Sequence, residues 1–153
     1  MPMFSKTVKI ALAVATVSTF AGVVTVSAQD PIAERKASMK SVGGAIRPLV
    51  GFARGQADYD QAVAIASFTT MNEVAQRYGD LFPEGSETGG ETKARPEIWT
   101  DRAGFDEQVA NFEAVTAAAI AANPADVDAF RAVFGPVGQS CGSCHEKYQV
   151  SSN

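Results

Sequence analysis

The chain of 153 residues has two cysteines and one histidine, and all three fall within Cys141-Gly142-Ser143-Cys144-His145. C-x-x-C-H is the attachment pattern of a c-type haem. The chemistry sets the spacing. Two thiols form thioether bonds to the two vinyl groups of one porphyrin, and the next residue, His145, lies close enough to ligate the iron from one face. Other uses of the motif fit poorly. A thioredoxin-like redox pair belongs near a βαβ pattern, and none is legible. A zinc site needs four ligands, and no second Cys or His pair exists to complete one. A disulfide between these cysteines would close too short a loop to stabilise much.

The residues around the motif argue that it sits in a helix. Phe130, Phe134, Val137, Cys141, Cys144 and Tyr148 recur at steps of four, three, four, three and four, the strongest period in the chain. That period puts both cysteines on the buried face, where a porphyrin can lie against the core. Gly135-Pro136 interrupts the segment and predicts a bend.

The N-terminus bears on the compartment. Met1 to Ala28 reads as a secretory signal, with Lys6 and Lys9 as its positive region, an uncharged run from Ile10 to Gln29, and small residues at Val26-Ser27-Ala28. Cleavage after Ala28 would leave residues 29–153 as the mature protein. An uncleaved membrane anchor is the competing reading, because the run is about as long as a spanning helix. Its Ser and Thr content and small-residue ending favour cleavage, with no stable membrane association afterwards. Covalent haem attachment in bacteria occurs outside the cytoplasm, so export to the periplasm agrees with the motif. Losing Lys6 and Lys9 leaves 11 basic against 17 acidic residues, a net charge of −6. That argues against nucleic acid as a partner and permits steering toward a basic protein.

The remaining segments read as three more helices. The first starts at Asp30-Pro31, a cap followed by proline at the first helical position. It carries the stripe Ile32, Arg35, Met39, Val42, Ile46 and Leu49, and Pro48 should kink or end it. The second runs from about Asp58 or Tyr59 to Tyr78, stopped by Gly79. A polar connection from Asp80 to Glu97 follows, with Leu81 and Phe82 expected under the bundle and the rest read as a solvated crossover. The third helix runs from Ile98–Thr100 to about Ala122, and Asn123-Pro124 reads as the start of the fourth. With no β-like alternation anywhere, the economical answer is an all-α, antiparallel four-helix bundle, one domain over 29–153.

A four-helix bundle with C-x-x-C-H in its last helix resembles the class II c-type cytochromes, cytochrome c′ and its low-spin relative cytochrome c556. Arg35-Lys36-Ala37-Ser38-Met39 is similar to the family's R-x-x-x-(M/L). Arg95-Pro96-Glu97-Ile98-Trp99, with Asp101 and Phe105, resembles the segment leading into the third helix. Cys141 to Tyr148 resembles C-x-x-C-H-x-x-(Y/F). The chain departs from the family at Gln149, where an arginine is usual four residues after the histidine.

The resemblance implies one covalent haem c and no catalytic residue. It places Met39 on the distal face, opposite His145. A Met39 thioether on the iron would suit electron transfer, as in c556 members. A Met39 that only covers the iron would leave a five-coordinate haem able to bind nitric oxide or carbon monoxide. A core-filling methionine is the third possibility. Arg35, one turn before Met39, is read as a partner of a haem propionate or else as a rim residue in an ion pair. Arg95 is a second propionate candidate. Many relatives form homodimers through the first two helices, and Gly43, Gly44 and Ala45 would permit such contact. The redox partner is not legible.

Overall fold

A computed structural model describes residues 30–150 of the chain. The signal expected at 1–28 lies outside the described residues. Five helices are present: α1 (Pro31–Ala53), α2 (Gln61–Tyr78), a short α3 (Glu97–Thr100), α4 (Arg102–Ala122) and α5 (Val127–Tyr148). One 3-10 turn, Gly79–Leu81, extends α2. The four long helices form an antiparallel bundle in which α2 packs on α1 and α4, and α4 packs on α5. Contact between α1 and α5 is sparser. Among the described residues no helix is long and apolar enough to cross a membrane.

Acidic caps start every long helix. The Asp30, Asp60, Asp101 and Asp126 carboxylates accept from the Ile32, Val63, Gly104 and Ala129 amides, satisfying donors that a helix start leaves unpaired. The second helix thus begins two residues later than expected, at the Asp60 cap. The third is broken at Asp101 into α3 and α4. The fourth does not start at Asn123-Pro124: Asn123 takes a left-handed conformation (φ 42°) and closes α4, and Asp126 caps the new helix. Asparagine tolerates that conformation, so the dipeptide read as a start is a stop.

Pro48 does not end α1, and α5 runs unbroken through Pro136. Proline removes one helical donor and crowds the carbonyl four residues back. At Pro48 that carbonyl belongs to Gly44, preceded by Gly43, where the backbone has latitude to adjust. Beyond the proline, Leu49 and Phe52 are buried and hold the last turn onto the bundle.

Two apolar clusters make the core. The larger joins Leu49, Phe52, Phe68, Met71, Phe130 and Val137 with their neighbours. The smaller joins Phe82, Ile98, Phe105 and Tyr148. Phe130 organises the first. It is fully buried, stacks on Phe134 at 5.2 Å, and meets Phe52, Tyr59 and Phe68 at 6.0, 5.3 and 6.1 Å between ring centroids. Such pairs add to the area they bury. Phe130→Ala should lower the unfolding free energy by about 3–5 kcal/mol in chemical denaturation, with the helical content of the folded protein by circular dichroism retained.

Candidate functional site

Where the two clusters meet, the side chains leave a cavity of about 820 Å³. Helix α5 contributes Ser140, Cys141, Cys144, His145 and Tyr148, and α1 contributes Ile32, Arg35, Met39, Val42 and Ile46 from the other side. Phe105, Val109 and Phe112 of α4 and Ile98 of α3 close the wall, so the lining is mostly apolar. Its size and character are those of a cofactor site.

The helical register of α5 produces the motif's geometry. Residues three and four apart share a helix face, so Cys141, Cys144 and His145 line one cavity from one turn and a half of helix. Burial pushes the Cys141 thiol up, and it pushes Cys144 up to about 11, with Cys141 adding to the effect. Burial also lowers the His145 pKa, favouring the neutral imidazole whose free nitrogen can ligate iron.

The structure brings Met39 and His145 to the same cavity from different helices. Met71, the other methionine of the described residues, is fully buried in the larger cluster and does not line the cavity.

Arg35 is only 4% exposed, so it is no rim residue. Its Nε donates to the Pro31 carbonyl at 3.1 Å and its Nη2 to the Ser86 carbonyl at 2.7 Å. The guanidinium lies 4.5 Å from the centre of the Phe82 ring, a cation–π arrangement. Burial lowers its pKa, though arginine stays charged in proteins. Its Nη1 is buried without a partner among the described residues. An unmatched donor on a buried cation is costly. Arg35 lines the cavity, so a group with carboxylates held there would answer it. Arg95 does not line the cavity. Its Nη1 donates to the Glu146 carbonyl at 3.2 Å, and its backbone amide donates to the Tyr148 carbonyl.

The connection between α2 and α3 is more than a solvated crossover. Phe82 is buried as expected, and Glu91, Thr92, Lys93 and Ala94 form a wall of the cavity. Ser86 holds Arg35, and Gly90 (φ 52°) lies so close to Ile32 that an added Cβ would come within 2.9 Å of its Cγ2. At the far end Ala94 pairs with Gln149 in an antiparallel bridge. Sequence reading missed this wall because its contacts join residues more than fifty positions apart. It also left Tyr78 and Gln108 unassigned, although both line the cavity; Tyr78 ends the α2 stripe, which was the available signal.

Asp101 fixes the turn that follows His145. Besides capping α4, its Oδ2 accepts from Lys147 Nζ at 2.6 Å and Tyr148 Oη at 2.9 Å. These bonds, Lys147 first, hold the Asp101 carboxyl below the usual range. A depressed carboxyl stabilises the fold above its unfolded pKa, near 4, and that contribution disappears as pH falls through the folded value. Asp101→Asn keeps a capping side chain but loses the charge. Its melting temperature should lie below wild type at pH 7, and the gap should close as the pH falls below about 4.

Comparison with known proteins places the chain among haem proteins. A family model described as Cytochrome C′ matches residues 30–149. A cytochrome c′ from Rhodopseudomonas palustris is 35% identical over 143 residues, covering 90% of this chain and 97% of that protein. A cytochrome c-556 from Agrobacterium tumefaciens is 34% identical over 119 residues, covering 78% and 96%. A solved structure of cytochrome c′ from Rhodopseudomonas palustris superposes with a TM-score of 0.78 at 36% identity, covering 81% of this chain and 98% of that one.

Proposed function

The chain belongs to the cytochrome c′ family and carries one covalent haem c, and from that premise we propose that it is a periplasmic electron carrier in which His145 and Met39 would hold the iron. The observation that carries this reading is the shared cavity: Met39 and His145 line it from α1 and α5, while Met71 is sealed in the core. Cys141 and Cys144, on the same wall as His145, are the thioether residues. Bound there, the haem supplies a one-electron ferric–ferrous couple.

Each side chain has a distinct part. His145 offers a neutral imidazole, favoured by its partial burial. Met39 offers a soft thioether, and a His/Met pair raises the potential relative to harder ligands. Arg35 binds a propionate through the Nη1 that has no partner among the described residues, and arginine's fork suits a carboxylate. Phe82, Ile98 and Phe105 keep water from the macrocycle. The periplasm follows from the site of covalent haem attachment in bacteria and from the leader-like N-terminus. No nucleophile–base pair accompanies the site among the described residues, and electron transfer needs none.

Similarity alone does not choose between the ligation states, since the cytochrome c′ and c-556 relatives are 35% and 34% identical. The position of Met39 favours the six-coordinate one. The oxidised protein should show the weak near-infrared band of sulfur-to-iron charge transfer, and Met39→Leu should abolish it. The reduced wild type should take up carbon monoxide slowly, and the variant should take it up readily. A wild type that is high-spin and binds carbon monoxide at once would make Met39 a cover, and gas binding the function.

A further inference from the structure

Residues 30–150 carry a net charge of −6, yet their cations are not evenly spread. From Arg35 to Ala57 there are five cations and no carboxylate. Arg35 is buried, and the other four, Lys36, Lys40, Arg47 and Arg54, are exposed. They are spaced by 4, 7 and 7 residues. At 3.6 residues per turn they fall within about 40° of arc, and at 1.5 Å per residue they span about 27 Å. They therefore form one cationic stripe along α1 and its C-cap, Arg54.

Little within the protein neutralises the stripe. Lys36 lies 3.7 Å from Glu91 and reaches the Gly90 carbonyl. Lys40, Arg47 and Arg54 have no ion-pair partner among the described residues. Lys36 and Lys40 also line the haem cavity, as does Gly43 on the same face. Haem carboxylates can answer those two lysines. Arg47 and Arg54 are off the lining and keep their charge facing outward. The face thus carries a local field opposite in sign to that of the whole protein.

We propose that the stripe Lys36–Lys40–Arg47–Arg54 is the docking face for an acidic redox-partner protein, which it seats beside the α1 edge of the haem cavity. The inference rests on the reading of the chain as an electron carrier. It reverses the steering that net charge alone suggests, because docking depends on the charges at the contact. A membrane fits the face less well. Among the described residues the exposed large apolar side chains are Val63 and Val150, neither on α1, so the stripe has nothing to insert into lipid. A second copy related by a two-fold axis would set cations against cations. A partner bearing carboxylates answers the charge and comes within reach of the redox group.

The test uses the haem-loaded protein and reduced flavodoxin, a soluble acidic one-electron donor, as the probe. Stopped-flow reduction of the ferric protein should slow as ionic strength rises. At low salt the double variant Arg47→Glu/Arg54→Glu should react about three- to tenfold more slowly, with Arg47→Gln/Arg54→Gln in between. Unchanged helical content by circular dichroism establishes that the variants fold. A protein without a haem spectrum would refute the carrier reading itself. With haem present, a rate indifferent to salt and to charge reversal would overturn the docking face alone. So would cosedimentation of the wild type, but not the double variant, with phosphatidylglycerol vesicles, or a wild-type dimer that the double variant disrupts.

Discussion

The bundle depends on a constraint set by α5: Cys141, Cys144 and His145 line one cavity from one stretch of helix, so whatever they hold must lie beside that helix. The other helices then cannot close fully over it. They leave a cavity of about 820 Å³. Its lining is largely apolar and includes the buried side chains Val42, Ile98 and Phe105, so a group bound there packs directly against the core. The sparse contact between α1 and α5 is where the fold makes room for it.

Arg35 shows the same dependence from the opposite wall. A cation this deeply buried is tolerable when its donors are matched. The protein matches two of them with carbonyls, lays the guanidinium over Phe82, and leaves Nη1 without a partner among the described residues. The connection from Ser86 to Ala94 completes that wall. A segment rich in glycine and charge is thereby drawn into the site, pinned to α1 at Ser86 and Gly90 and to α5 at Ala94.

Much of this was legible in the sequence because the signals were local. The period of α5, the stripe of α1 and the cap at Asp30 each depend on residues a few positions apart, and each predicted burial agrees with the structure at Ile32, Val42, Leu49, Phe130 and Val137. The failures have a common cause. Asn123-Pro124 follows a local preference for a helix start, and a left-handed cap at Asn123 decided the outcome, while at Pro48 the buried Leu49 and Phe52 carry α1 past the proline. The split between α3 and α4 arises at Asp101, which binds Lys147 and Tyr148, more than forty residues away. The cationic face of α1 is absent from the reading of the sequence, which weighed only the net charge, and it acquires meaning once the cavity is seen to open beside it.

The central claim is that this chain encloses a covalently attached haem through Cys141 and Cys144. It is tested most directly by intact mass spectrometry of the protein made with a haem-attachment system present. The account predicts the mass of the polypeptide plus one haem, retained after denaturation and lost when both cysteines are replaced by alanine. A bare polypeptide mass, or haem that washes out on denaturation, would contradict it.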